Sequence, residues 1–334
     1  MRITSSVTSV SWIPSEAIPG AMKVPMVLGI GHYDPPPPER LDDLDALHAA
    51  GRFRFANRLS AWIDVDDDGA IRDAGYSGGG LISSTDVRLG GRGISIPPVA
   101  LPDIRHEPEA GADAVRFVQT TGGRTGAPMP RRVSRPPYVV VTSPPVWTTL
   151  ALTLRADGTA GFEVVGASPF PRHWVYGPDG ALTQKSGLAD YRSWAGDSSE
   201  PRSPWGHHDQ AALMADAETA LERELSTLIM QHGARPRLRR LAEGAVVTRQ
   251  GDPGDEMYLV LDGMLTVEVD GKAVAEVGPG AIVGERAVLD GGRRTATLRA
   301  RTPGRLAVAA AGQIDREALV ELSKGHRRED AAPA

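Results

Sequence analysis

Between residues 241 and 277 the apolar positions fall in short runs broken by turn residues, and that spacing restricts the region to antiparallel β-structure. Met257-Tyr258-Leu259-Val260-Leu261 is one run, closed by Asp262-Gly263. Leu265, Val267 and Val269 then alternate with Thr266, Glu268 and Asp270, the period-two pattern of a half-buried strand. Asp270-Gly271 is a hairpin turn signal, and Val274 and Val277 lie on the return strand. Upstream, Gln250-Gly251-Asp252-Pro253-Gly254-Asp255 is a turn cluster. Downstream, Gly278-Pro279-Gly280 leads into Ile-Val-Gly-Glu-Arg-Ala-Val-Leu-Asp-Gly-Gly-Arg-Arg-Thr-Ala-Thr-Leu at residues 282–298.

The residue types in 282–298 fit a sugar phosphate. A turn at Gly284 opening a short helical segment lets successive backbone N–H groups converge on one anion. Glycine tolerates the backbone angles and the close ligand approach that this needs. Arg294 can neutralise a phosphate through charge-assisted hydrogen bonds. Glu285 would repel phosphate, but it can accept a hydrogen bond from a sugar hydroxyl. Taken alone, the stretch also reads as a surface turn at Gly291-Gly292 with solvated Arg293 and Arg294.

The order Gln-Gly-Asp, Asp, Tyr, Asp-Gly, hairpin, Gly-x-x-x-Gly-Glu and Arg favours the first reading. It resembles the cyclic nucleotide-binding domains, the module of protein kinase A regulatory subunits and the bacterial catabolite activator protein. Gly284-Glu285 falls at that family's Gly-Glu pair, and Arg294 falls ten residues after Gly284, at its phosphate-binding arginine. The resemblance covers about residues 238–325. It implies an eight-stranded jelly roll with flanking helices that binds its ligand without turning it over. It implies that Glu285 holds the ribose 2′-hydroxyl. The backbone amides of Arg286 and Ala287 hold the phosphate together with Arg294, and Thr295 offers a hydroxyl near phosphate and base. The implied ligand is cyclic AMP or cyclic GMP, since a threonine after the arginine occurs with both; no other cofactor is implied. Two features depart from the pattern. Arg286 stands where the family usually has an apolar residue. Residues 313–334 hold no Phe, Tyr or Trp to cap the base, which leaves the other domain, a second subunit, or Leu319 and Leu322 as the lid.

Length and composition bound the remainder. A chain of 334 residues with 41% hydrophobic and 24% charged residues suggests two soluble globular domains. No apolar window is long enough to span a membrane, and the first residues lack a signal-peptide core, so a cytoplasmic location is expected. The absence of cysteine excludes disulfides, cysteine nucleophiles and thiolate metal sites. The net charge of −5 gives no general attraction to nucleic acid. After the jelly roll only a short helix candidate at 315–323 and a polar tail remain, too little for a helix-turn-helix domain, so DNA is not an expected partner. The basic run from Arg235 to Arg240 reads as a solvated entry to the C-terminal module.

Residues 209–231 lack Pro and Gly, and Leu213, Ala217, Leu221, Leu225 and Leu228 form one helical stripe, with Glu222 and Glu224 off it. Asp209 is the expected N-cap and Gly233 the expected stop. This helix either packs on the jelly roll or acts as a coupling or dimer helix. Ser198 to Pro204 reads as a linker. The expected organisation is a β-rich domain over 1–195, linker and connecting helix over 196–237, the nucleotide-binding module over 238–325 and a polar tail over 326–334. A protein partner or a homodimer is expected.

Residues 1–195 read as an antiparallel sandwich or barrel, so the whole chain is mainly β. Strands are expected at 53–65, 115–118, 138–141, 147–154, 162–165 and 174–176, with a further hairpin through Gly177-Pro178-Asp179-Gly180 to Ala181-Leu182-Thr183. Pro35 to Pro38 form a rigid segment, followed by a short acidic helix near Glu39-Arg40-Leu41. Ser77-Gly78-Gly79-Gly80 reads as a flexible turn, since no Lys-Ser/Thr follows it. The candidates for chemistry are His32 with Asp34, Arg172 with His173, and His207-His208-Asp209; none reaches the three or four ligands of a metal site, and no nucleophile motif accompanies them. The function read from the sequence is a cyclic-nucleotide-binding regulatory protein whose C-terminal module controls the N-terminal domain or a partner. The alternative is an enzyme or small-ligand carrier in the N-terminal domain under the same control.

Overall fold

The computed structural model describes residues 1–18, 20–27, 33–89, 92–132, 136–191, 194, 203–205, 212–231, 236–289, 292–310 and 316–325. The chain is mainly β and divides into two compact units. One holds Met1–Thr183 with Ala189–Ala212, the other Gln184–Leu188 with Leu213–Ala334.

The first unit is a two-sheet antiparallel sandwich. One sheet runs in the order β14 (Arg172–Tyr176), β1 (Arg2–Trp12), β2 (Phe55–Val65), β3 (Ile71–Ile82). The other sheet runs β13 (Ala160–Ala167), β12 (Pro145–Arg155), β9 (Ala114–Arg124), and three short strands lie along the free edge of β9: β6 (Val99–Ala100), β7 (Ile104–Arg105) and β8 (Glu109–Ala110). Two separate ribbons are β4 (Thr85–Leu89) with β5 (Arg92–Ile96), and β10 (Met129–Arg132) with β11 (Val139–Thr142). Along β2, Phe55, Asn57, Leu59, Ala61, Ile63 and Val65 alternate into the interior. The other side of this sheet is also covered: Val10, Trp12, Ala56, Trp174 and Tyr176 pack with Leu44 and Phe53.

The strands expected at 53–65, 115–118, 138–141, 147–154, 162–165 and 174–176 are all present. Strand β1 was not expected, because Ser5, Ser9 and Ser11 occupy its inward positions and hide the alternation. The Ser77-Gly78-Gly79-Gly80 run is not a flexible turn but part of β3. Gly78 has φ +138°, and a Cβ there would lie 1.8 Å from the Arg58 carbonyl oxygen, so only glycine lets β2 and β3 pair at this point. The acidic helix begins later than expected. It is α1 (Leu44–Ala49), capped by Asp43, whose Oδ1 accepts from the Ala46 amide at 2.8 Å.

The second unit contains two four-stranded antiparallel sheets, the jelly roll expected from the sequence. One has the order β17 (Arg237–Leu241), β24 (Gly304–Ala310), β19 (Glu256–Asp262), β22 (Ile282–Val283). The other has β18 (Val246–Thr248), β23 (Thr297–Ala300), β20 (Leu265–Val269), β21 (Lys272–Val277). The continuous apolar run in β19 has a simple cause: both of its faces are covered. Tyr258 and Val260 point between the sheets with Leu265, Val267 and Leu298. Met257 and Leu259 point to the opposite side, against Leu225 and Ile229 of α2 (Ala220–Gln231) and Leu319 and Leu322 of α4 (Arg316–Gly325). The hairpin at Asp270-Gly271 has φ of +50° and +76°, the positive pair that a tight turn between twisted strands requires.

The long helix expected from residue 209 is a correction. Residues 214–216 form strand β16 (Met214–Asp216), paired with β15 (Leu182–Ser186), so Leu213 and Ala217 lie outside any helix. Helix α2 starts only at Ala220. Thr219 and Glu222 cap it reciprocally: the Thr219 amide donates to Glu222 Oε2 at 2.8 Å, and the Glu222 amide donates to Thr219 Oγ1 at 3.2 Å. The buried side is Leu225 and Ile229, while Leu228 is 40% exposed. Asp209 and Gly233 lie outside the described residues.

Hydrogen bonds between side chains, rather than apolar contacts alone, fill part of the sandwich interior. Ser9 Oγ and Thr148 Oγ1 lie 2.7 Å apart, Asn57 Nδ2 donates to the Thr148 carbonyl at 3.0 Å, and Gln119 Nε2 donates to Asn57 Oδ1 at 2.8 Å. His173 is fully enclosed. Its Nε2 lies 2.8 Å from the Ser168 carbonyl and its Nδ1 lies 2.6 Å from Ser11 Oγ. A carbonyl can only accept, so Nε2 carries the proton and Nδ1 accepts from the serine, which makes a neutral ring. Burial pushes the His173 pKa down to about 4. Because the folded value lies below the unfolded one, this contribution to stability is present in full above about pH 6.5 and is lost as pH falls through about 4. All six tryptophans, Trp12, Trp62, Trp147, Trp174, Trp194 and Trp205, belong to the first unit, so their fluorescence reports on it alone. Urea unfolding followed by that signal should show a loss on the order of 3 kcal/mol between pH 7 and pH 4. His173→Gln should flatten most of that pH dependence.

Candidate functional site

Three pieces of the jelly roll meet at Arg294. The first is the turn 251–254, the second is the start of β19, and the third is β22 with the segment that follows it. After β22 the chain turns at Gly284, with φ +92°, into the one-and-a-half-turn helix α3 (Glu285–Leu289). A Cβ at Gly284 would stand 2.8 Å from Arg294 Nη1 and 3.2 Å from the Glu256 carbonyl oxygen. Glycine is therefore required twice, by the backbone angle and by the space.

The turn 251–254 is tied to the arginine's own segment by backbone bonds. The Gly251 amide donates to the Arg294 carbonyl, the Arg294 amide to the Asp252 carbonyl and the Gly254 amide to the Gly292 carbonyl, each at 2.8 Å. Gly254 then lies flat on the guanidinium: a Cβ there would be 2.0 Å from Nε. The guanidinium is thus held between two glycines. Its Nη1 donates to the Glu256 carbonyl at 2.7 Å and to the Gly284 carbonyl at 3.4 Å, and its Nη2 donates to Tyr258 Oη at 3.3 Å. The Tyr258 hydroxyl in turn donates to Glu256 Oε2 at 3.3 Å. Burial holds that hydroxyl above the usual tyrosine range, although the charge of Arg294 opposes the shift, so Tyr258 stays a protonated donor.

The electrostatics follow from this list. Arg294 is 6% exposed, and among the described residues its partners are two carbonyls and a hydroxyl, with no carboxylate. A cation removed from water is costly unless it meets an anion. It stands in the wall of an open pocket on the jelly roll. The facing wall is apolar, from Val267, Val277, Val283 and Leu298. The polar lining comes from Glu285, Arg294, Thr248 and Thr295. An anion on Arg294 with an apolar ring system against the valines and a hydroxyl towards Glu285 is the ligand that such a wall can take.

Of the residues expected from the sequence, Gly284, Glu285, Ala287, Arg294 and Thr295 all line this pocket. Arg286 is not among the lining residues; it is half-buried on α3. Leu319 and Leu322 are buried in the core with Leu225 and Ile229 and are not among the residues that line the pocket. Sequence reasoning did not single out Gly254 or Tyr258. The spacing of Gly254 within the turn cluster was visible, but its contact with a residue forty positions later was not.

The candidates in the first unit have structural partners. Asp34 and Arg54 form a buried ion pair at 2.9 Å, and Asp34 Oδ2 also accepts from the Ile13 amide at 2.8 Å. Arg172 pairs with Glu16 at 3.0 Å, and both ring nitrogens of His173 are engaged. His32 and His207-His208-Asp209 lie outside the described residues. Among the described residues no group of acidic or histidine side chains could hold a metal ion, and no helix is long and apolar enough to cross a membrane.

Residues 238–321 match the cyclic nucleotide-binding domain family, and this part of the chain is such a domain. A cyclic nucleotide-gated potassium channel of Mesorhizobium japonicum is 42% identical over 66 residues, which are 20% of this chain and 18% of that one. Another, of Rhizobium etli, is 40% identical over 68 residues, again 20% and 18%. The chain therefore spans less than a fifth of the length of these two curated relatives. A solved cyclic nucleotide-binding domain from Methylobacillus flagellatus is 26% identical, with a TM-score of 0.24, over 33% of this chain and 67% of that one.

Gly254→Ala tests the clamp. The new methyl group cannot coexist with the guanidinium where it stands, so either the arginine or the turn must move. The expected loss of stability is about 1–3 kcal/mol, the usual result of overpacking. It is checked by urea unfolding of the second unit followed by circular dichroism.

Proposed function

We propose that the protein is a cyclic-nucleotide-responsive regulator whose second unit binds cyclic AMP or cyclic GMP. The observation that carries this is the buried Arg294 guanidinium in the pocket wall, whose hydrogen-bond partners among the described residues are all neutral. A cyclic phosphodiester supplies the missing single negative charge. In this reading Arg294 and the amides of Arg286 and Ala287 hold the phosphate, and Glu285 accepts from the ribose 2′-hydroxyl. Thr295 lies near phosphate and base, and the valine wall takes the base. Gly284 keeps the backbone close to the ligand. In this reading Arg286 contributes its backbone amide.

The wider role is regulation of the β-rich residues 1–195 or of a protein partner or second copy, with the segment 196–237 as the connection and 326–334 as a tail. Support comes from the described interior of the first unit, where hydrogen-bonded side chains around His173 and Asn57 lie between the sheets. That arrangement favours a domain that is controlled over one that carries a small ligand. A ligand acts on such a partner only through a difference in its affinity for two states.

Calorimetric titration of cyclic AMP and cyclic GMP into the full chain tests the reading. Binding by one or both is expected. Arg294→Ala removes the charge pair, which costs about 2–5 kcal/mol, or at least roughly thirty-fold in Kd. No heat with either nucleotide, or equal binding by the variant, would overturn it.

A further inference from the structure

The face of the cassette turned away from the pocket is held by three charged side chains. Strand β22 is the last strand of its sheet, so on its free edge the Ile282 amide has no neighbouring strand to accept from it. Glu222 Oε1 accepts from that amide at 3.3 Å, two residues before Gly284. The same carboxylate caps helix α2 through Thr219. Glu222 is 1% exposed, although it lies off the apolar stripe of its helix. One turn earlier, Glu218 sits against Gly280, where a Cβ would lie 2.6 Å from Glu218 Oε2. Glu218 Oε1 pairs with Lys185, and both side chains are buried. Lys185 lies on β15, and residues 184–188, which include the end of that strand, belong to the second unit although they come from far upstream in the chain. Close glycine contacts fix this ribbon: the Gly263 amide donates to the Gly187 carbonyl at 3.0 Å, and a Cβ at Gly278 would meet Ala215 at 2.7 Å.

We propose that Glu222, Glu218 and Lys185 are positioning residues of the nucleotide site: they grip residues 280–282 from behind and link the closing of the cassette to helix α2 and strand β15. The proposal rests on the functional reading above. None of the three lines the pocket, so their effect passes through the backbone they hold. Glu222 fixes the register at which β22 enters the Gly284 turn. Lys185 and Glu218 fix the glycine turn one step earlier. Because β15 runs from the first unit into the second, it is the segment through which the grip is felt upstream.

Hydrogen–deuterium exchange of the full chain, read by mass spectrometry with and without saturating cyclic AMP or cyclic GMP, tests this together with calorimetry. In the wild type, nucleotide should slow exchange in 182–188 and 213–222 as well as in 282–298. Glu222→Ala should weaken binding about five-fold or more, the lower range of coupling between sites. It should also abolish the protection of 182–188. Glu222→Gln keeps an acceptor for Ile282 and should restore both. The paired substitution of Lys185→Met with Glu218→Met leaves no charge stranded, and it should uncouple 182–188 even if Glu222→Ala fails to fold. Absence of nucleotide binding by the wild type would remove the functional reading and this one with it. Binding with unchanged exchange at 182–188 and 213–222, or a paired variant that still transmits protection, would overturn this inference while leaving the nucleotide site in place.

Discussion

A guanidinium held out of water and bonded, among the described residues, to carbonyls and a hydroxyl is the constraint around which the second unit is arranged. Burying Arg294 among neutral acceptors is unfavourable unless its donors are satisfied and an anion can reach it. The chain meets the first condition with the Glu256 and Gly284 carbonyls and the Tyr258 hydroxyl. The geometry then dictates local sequence. Gly284 must be glycine because its φ is +92° and the arginine fills the space beside it; Gly254 must be glycine because the guanidinium lies on its Cα. The bonds joining 251–254 to 292–294 hold the arginine's own backbone in place, so the side chain does not have to be ordered by its ligand. Fixing those donors during folding lowers the entropy that a ligand must overcome on binding.

The legibility of each part of the fold follows from where its polar groups go. The jelly roll was readable because its strands put apolar and polar residues on opposite faces, as in Leu265, Val267 and Val269, and because its turns use glycine where φ is positive. The sandwich was only partly readable. Strand β1 carries serines on the face that meets the other sheet, and β3 carries glycines where β2 comes close, so neither shows a period-two apolar signal. Both depend on neighbours that single-sequence periodicity cannot supply.

The connecting region was misread for a different reason. Leucine spacing and the lack of Pro and Gly over residues 209–231 satisfied a helical pattern, yet 214–216 pair as a strand with residues 184–186. Thr219 with Glu222 is a capping box that the sequence did contain, and it marks the true start of α2. Glu222 lies off the leucine stripe, and glutamate is rarely buried unless it is paired. Its burial makes sense only once the Ile282 amide is seen at the end of its carboxylate. The site residues show the same division. The candidates within one continuous segment, Gly284 to Thr295, came from that segment's resemblance to a known family, whereas Gly254 and Tyr258 touch Arg294 across the fold.

The two interiors place different demands on their sequences. In the second unit the core between the sheets is apolar, and residues of similar volume can replace one another at modest cost. In the first unit the sheets also face each other through Ser9, Asn57, Gln119 and Thr148, each bonded to a side chain or carbonyl on the opposite strand set. A shift of either sheet by one residue would leave those groups buried and unsatisfied, at a cost of about 1–3 kcal/mol each. The polar interior therefore fixes the register of the sandwich more sharply than an oily one would. His173, held neutral between Ser11 and Ser168, belongs to that register-fixing set, and its chemistry is consumed by the fold itself.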